Sequence, residues 1–533
     1  MVNLKSKKMK RSCINMFMAA SVFLFACDKK LDLYNPNFPV TETFWQTPAH
    51  ADAGVVSVYN AYALEGTYTR SFPGLSDSRG DDMQGNSPWS DLELVGRFTI
   101  PSNSAPVEWV WRDHYLVVNR ANQVLRYVPD IADDLFEAGH KGRVLGQAHF
   151  LRALAYFNLI NTYQKIPLVT EPQTTADEYY PETAAPEAVW NQIIDDLKQA
   201  EGLLPISYEG VTGPDAGQKG RATKGAAAGL LAKAYLYTKN YNDAAVQLEK
   251  FVAAGGELNG VYSLMPNYRS NFNTVNENNA ESLFEIQFTA EGGTDGNWTG
   301  EPNANWRQFS AVAVTYAAPG ETWGGYSDYE PTRSLYNAFK SEQTTDGRSD
   351  PRLLATITSY EPADNSTTVY GLPWPYSATN LIYVRKYTYD GLGLIQKESF
   401  ETGGINYRIL RYADILLMYA EVLNELGRTS EAYPYIQQVR DRARLPVLST
   451  IKPNLSQIQM RDQIAHERFL EFAIEGQRIH DIIRWGWLYD PAKLAQLRER
   501  DSDFNSWRPG KEYLPIPFSE LNNNRNLSPN DAN

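Results

Sequence analysis

Apolar residues recur three and four positions apart in four long stretches of the chain, at 109–128, 142–163, 221–256 and 407–445. This is the spacing of one face of an α-helix. Pro129 stops the first stretch. The third and fourth are long enough for two helices each, with turns expected near Lys239-Asn240 and at Gly427. Two shorter runs, LFEIQFT (283–289) and LIYVRKYTY (381–389), read as short strands or extended segments.

The last two helical stretches share a second pattern. With Ala232 set on Ala420, Ala244 falls on Ala432 and Leu248 on Ile436. A small residue, another twelve positions on and a large apolar one after four more resemble the tetratricopeptide pattern. Small residues let one helix pack close to its neighbour, and arrays of such pairs form curved scaffolds. Generic αα-hairpins are the alternative, and both readings are helical. Residues 257–400 break the periodicity with Gly, Asn, Pro, Tyr and Trp, as does 66–106. Long irregular insertions in a regular scaffold commonly carry function. The expected division is 1–26, 27–256, 257–400 and 401–533, with 28–533 as one unit.

The N-terminus changes the picture. Lys5, Lys7, Lys8, Lys10 and Arg11 precede a mostly apolar run at 13–26, too short to span a bilayer. A charged start, a short apolar core and a small residue describe an export signal. Leu24-Phe25-Ala26-Cys27 resembles the lipobox of bacterial lipoproteins, in which the cysteine becomes residue one and is acylated. An ordinary signal peptide with an incidental cysteine is the alternative. Cutting after Ala26 leaves one of the two cysteines, so neither an internal disulfide nor a cysteine metal cluster is expected. The cut also takes the net charge from −13 to −18. That acidity disfavours nucleic acid, which needs a basic stripe.

The six histidines form no i,i+3 or i,i+4 pair, and no GxSxG elbow, P-loop or GxGxxG is present. His466 and His480 would share a helix face, yet their fourteen-residue separation puts them ~21 Å apart. No enzyme activity and no cofactor are expected; a bound metal ion is left open.

In the C-terminal half, residues 461–488 carry an E-R-F-L-E-F-x-x-E-G-x-R-x-x-D-I-I-R-W pattern. With 411–427, 513–530, 146–169 and 222–244, this pattern resembles the SusD/RagB family. The tail departs from it, since many relatives end Q-N-P-G-Y and this chain reads LSPNDAN. The resemblance implies a mainly α fold, with tetratricopeptide-like helical pairs as scaffold and irregular insertions that hold the ligand. It implies a surface lipoprotein of the outer membrane, facing the cell exterior. Such proteins are non-catalytic, capture oligosaccharide and pass it to a SusC-like TonB-dependent transporter. A peptide- or protein-cargo binder of the RagAB type is the alternative; a scaffold or a glycoside hydrolase is a weaker one.

Glu467, Arg468, Glu471, Glu475, Arg478, Asp481 and Arg484 alternate in sign at near-helical spacing. They read as a salt-bridged helix packed on a neighbour rather than as ligand contacts, and Trp485 reads as core. A glycan site needs aromatic platforms for C–H faces and polar groups for hydroxyl edges. Two clusters offer both: Arg79, Asp81, Asp82, Asn86 and Trp89, and then Trp298, Trp306, Trp323 and Tyr326. The ligand is expected between them, and Cys27 is the expected lipid anchor.

Overall fold

A computed structural model describes residues 44–290, 309–392 and 403–533. The chain begins with α1 (Pro48–Ala61), opened by Thr47, whose side chain accepts from the His50 N–H, with Pro48 in the first turn. Next come α2 (Ala105–Tyr127), α3 (His140–Tyr163) and α4 (Pro186–Leu203). The two expected double helices follow as α5 (Lys224–Tyr237) with α6 (Tyr241–Val252), and α7 (Tyr412–Glu425) with α8 (Thr429–Arg442). Then come α9 (Gln457–Glu471), opened by a Ser456/Gln459 capping box, and α10 (Arg478–Arg484).

The helices pack largely in chain order. α3 lies between α2 and α4, α4 on α5, α6 on α7, and α9 against both α7 and α8. Ala232, Ala420, Ala244, Ala432, Leu248 and Ile436 are all fully buried, as the aligned pattern requires. The small face of α5 has a second use. A Cβ on Gly229 would lie 2.6 Å from Leu410 and 2.8 Å from Leu283, so a side chain there would push α5 off the sheet beneath.

That sheet pairs β2 (Ser282–Ile286) with β6 (Tyr407–Arg411), antiparallel. Two further antiparallel ribbons join β1 (Met83–Gly85) to β3 (Tyr329–Pro331), and β4 (Ile357–Ser359) to β5 (Ile382–Val384). Residues 407–411, expected as the start of a helix, are therefore a strand. Their partner β2 is more than a hundred residues away in sequence, and local periodicity cannot register such pairing. Helices α1 and α4 were not anticipated, although Pro48 and Pro186 mark their first turns. The segment 66–106 is also more regular than expected. It contains short helices at Ser71–Asp77 and Ser90–Gly96 besides β1.

The main core runs from Ala51 to Ile516 and takes in Tyr316, Trp323, Tyr329 and Tyr387 of the expected insertion. The 461–488 motif is not one helix. It breaks at 472–477, where Ile474 and Gly476 have φ of 60° and 71°. The distance expected between His466 and His480 assumed a continuous helix and does not apply. The motif's Asp, Glu and Arg side chains from Glu467 to Arg484 are buried. Glu471 is bonded by Arg352 (3.2 Å), Arg411 (3.0 Å) and Arg442 (2.5 Å). Glu475 takes Lys386 and Arg411, both at 2.8 Å. Arg352 and Lys386 come from the insertion, and Arg411 and Arg442 from the helical half. The motif therefore clamps one to the other.

Candidate functional site

The two aromatic, polar segments meet on the β1–β3 ribbon. Its register sets Met83 opposite Pro331, Gln84 opposite Glu330 and Gly85 opposite Tyr329. Directly paired residues share a face of a strand ribbon. Met83, Pro331 and Tyr329 point into the core, so Gln84 and Glu330 point outward. The ribbon continues one step further: the Asn86 N–H donates to the Asp328 carbonyl at 2.7 Å. The Asn86 side-chain amide donates to Glu330 Oε1 at 2.8 Å and to the Ser327 carbonyl at 3.3 Å. Ser87 Oγ donates to Asp328 Oδ1 at 2.7 Å and accepts from the Trp89 N–H at 3.1 Å.

Trp89 follows, half-buried, with its ring centroid 6.0 Å from that of Trp109 at the start of α2. Beneath it Arg70 holds its guanidinium 5.6 Å from the Trp89 ring and is ion-paired with Glu65. The close approach of α2 depends on Gly66. A Cβ there would fall 1.9 Å from the Trp109 carbonyl oxygen, and the Gly66 N–H donates to Asp113 at 2.8 Å. Tyr326 lies next along the chain from Ser327 and is 40% exposed. Burial raises the carboxyl pKa values of Asp328 and Glu330, and the hydroxyls of Ser87 and Ser327 respectively oppose the shift.

Asn86 and Trp89 are thus brought to one surface, and Tyr326 is exposed one residue before Ser327, whose carbonyl Asn86 bonds. Arg79, Asp81 and Asp82 are not: all three are buried. Arg79 donates to the Leu75 and Glu512 carbonyls at 3.0 and 2.8 Å. Asp81 is ion-paired with Arg478 and, at 2.8 Å, with Arg500. Asp82 Oδ2 accepts from the Ile474 N–H at 2.9 Å, and Asp77 Oδ1 from the Gly476 N–H at 2.5 Å. The loop thus docks on the break in the 461–488 motif, which leaves its carboxylates no face for a ligand. Burial pushes the Asp82 carboxyl up to about 7, and burial together with Asp82 raises Asp77.

Trp323 is also buried. It stacks on Tyr370 at 5.2 Å and 11°, and its indole N–H donates to the Ala318 carbonyl at 2.7 Å. Trp298 and Trp306 lie outside the described residues, as does Cys27.

Sequence reading missed Trp109, concealed in a helical pattern, and a further aromatic row. Tyr360, Trp374, Tyr376 and Tyr383 are linked by ring separations of 5.7, 5.1 and 4.8 Å. The first three are half-buried, and Tyr383 interacts electrostatically with Glu330. The stretch Leu372-Pro373-Trp374-Pro375-Tyr376 is the signal that could have revealed them. Open clefts lie elsewhere: about 310 Å³ beside Tyr208, Arg221 and Tyr262, and about 250 Å³ beside Trp485 and Trp487. Trp485 is half-buried rather than core, and its indole donates to Glu421 at 2.8 Å. Among the described residues no group of three or more His, Cys, Asp or Glu is placed to hold a metal ion.

Two family models align with the chain in consecutive order. One, described as starch-binding and associating with the outer membrane, matches residues 31–236; the SusD family model matches 280–532. The chain belongs to the SusD/RagB family. It is 26% identical to SusD-like protein P25 of Formosa agariphila, over 95% of this chain and 96% of that one. It is 26% identical to a SusD-like protein of Bacteroides ovatus, over 92% and 85%. Among solved structures, a SusD superfamily protein from Bacteroides vulgatus superposes with a TM-score of 0.78 at 25% identity, covering 92% of this chain and 100% of that one. A laminarin-binding SusD-like protein gives 0.71 at 28%, covering 91% and 99%. The mainly helical scaffold with tetratricopeptide-like pairs is the architecture of this SusD/RagB protein. Among its described residues no helix is long and apolar enough to cross a membrane.

Proposed function

We propose that this SusD/RagB protein is a non-catalytic glycan-binding lipoprotein. On this reading Cys27 anchors it to the outer membrane, facing the cell exterior, and it delivers oligosaccharide to a SusC-like TonB-dependent transporter. The observation that carries the reading is the Trp89–Trp109 pair beside Asn86 and Glu330. Indole faces take the C–H faces of a sugar, while an amide and a carboxylate take its hydroxyls. Asn86, Trp89 and Tyr326 are the proposed contacts, with Trp109 added. The segment 257–400 carries half of the site and the helical regions on either side hold it. The name of the laminarin-binding relative and the description of the N-terminal family model support the same class of ligand.

The test is calorimetric titration of the chain lacking residues 1–27 against glycan and peptide panels. Glycan binding that falls in Trp89→Ala and Trp109→Ala supports the reading. Binding of peptides alone would replace it with cargo capture.

A further inference from the structure

Among the described residues the cations around the Trp89 surface each have a partner, whereas two of its carboxylates make no direct ion pair, although the Arg70 charge reaches Asp328. Arg70 is ion-paired with Glu65 beneath the Trp89 ring. Arg97 is paired with Glu93 at 3.2 Å, and Arg500 with Asp81. Arg333, just past β3, lies 5.0 Å from the Tyr336 ring and donates to the Asn380 carbonyl at 2.5 Å. Asp328 and Glu330 instead receive only neutral donors: Ser87 for the first, Asn86 and Ser327 for the second. Among the described residues nothing donates to Asp328 Oδ2 or Glu330 Oε2. Asn86 has already spent its amide hydrogens on Glu330 and on the Ser327 carbonyl.

A sulfate or uronate group offers only acceptors, and it is held by guanidinium, ammonium or free N–H donors. The Trp89 surface supplies the reverse, acceptors in need of donors. Hydroxyl groups are donors.

We infer that the ligand of the Trp89 surface is an uncharged, hydroxyl-rich glycan, and that Asp328 and Glu330 select against sulfated and uronate-bearing chains. This rests on the glycan-binding reading above and narrows it. Both carboxylates lie on the ribbon that carries Asn86, so an anionic group stacked near Trp89 meets like charge at short range. Such repulsion is weakened by salt.

The experiment is affinity electrophoresis of the full chain in gels containing laminarin, mannan or xylan, and the same polymers after chemical sulfation. Retardation by at least one neutral polymer is expected, with binding to its sulfated form at least about tenfold weaker. In the Asp328→Asn/Glu330→Gln double variant that ratio should shrink severalfold; thermal melting checks that the variant folds. Salt should raise the little sulfated-polymer binding that remains in the wild type. A sulfated polymer that binds as well as its neutral parent overturns the inference and leaves the glycan reading standing. So does a ratio unmoved in the folded double variant. Retardation by none of the six polymers counts against the glycan reading itself and removes this inference with it.

Discussion

Asn86 donates its side-chain amide to Glu330 at 2.8 Å, across 244 residues of sequence. The contact closes the β1–β3 ribbon and makes one surface of two insertions that are separated by most of the helical scaffold.

Trp89→Ala should weaken glycan binding and leave the fold intact, because the ring is half-buried at the surface. By analogy with bases stacked on aromatics, the loss is about 1–3 kcal/mol, or roughly five- to 150-fold in Kd. Trp323→Ala should do the opposite. Its ring is buried on Tyr370, so about 3–5 kcal/mol of stability is lost while affinity per folded molecule is unchanged. Titration calorimetry and chemical unfolding on both variants distinguish the two roles.

Gly66→Ala should disturb both stability and binding. The added methyl meets the Trp109 backbone, which cannot swing aside as a side chain could. Overpacking of this kind costs about 1–3 kcal/mol, or more where backbone must move. Because Trp109 is displaced, affinity should also fall in the fraction that folds. An unfolding midpoint equal to that of the wild type would show that α2 can shift without cost.

Glu471→Gln should be severely destabilising. It leaves Arg352, Arg411 and Arg442 sharing fewer buried anions, and breaking a buried pair costs about 3–5 kcal/mol. The exposed Arg428–Glu431 pair, at 2.7 Å, is the control: Arg428→Ala should change stability by less than about 1 kcal/mol. Urea unfolding curves of the two variants make the comparison.

Asp82 gives a pH dependence of definite sign. Its carboxyl titrates at about 7 when folded, above the ordinary 3.8, because it is buried. Between those values the folded chain keeps a proton that the unfolded chain has released. The stabilisation is thus complete below about pH 4 and is lost as pH rises through about 7. Asp82→Asn removes this titration, so the decline in the urea midpoint from about pH 4 to 7 should be shallower than in the wild type. Asp77, raised in the same direction, leaves part of the slope in place. An unchanged slope would mean that Asp82 ionises in the fold as it does in water.

Cys27→Ala should release the protein from membranes or leave its signal uncut. Fractionation in cells lacking the transporter measures this. A cleaved variant that still sediments with membranes would overturn the lipid-anchor proposal.

Much of this protein was legible locally. Helical periodicity located α2, α3 and the two helix pairs, and the spacing of Ala232, Ala244 and Leu248 against Ala420, Ala432 and Ile436 found buried packing positions, because periodicity and residue size are properties of neighbours in sequence. The 461–488 pattern identified the family for the same reason. What the sequence left undecided was which polar residues face water. Asp81 and Asn86 sit five residues apart in one loop of similar character, yet Asp81 is buried on Arg478 while Asn86 is exposed beside Glu330. Trp89 and Trp323 were equal candidates, and only one is at the surface. Strand β6 read as helix until β2 gave it a partner. In each case the deciding contact comes from a segment tens to hundreds of residues away. The free energy of a buried charge, an indole ring or a strand edge is set by what packs against it, which only the tertiary structure supplies.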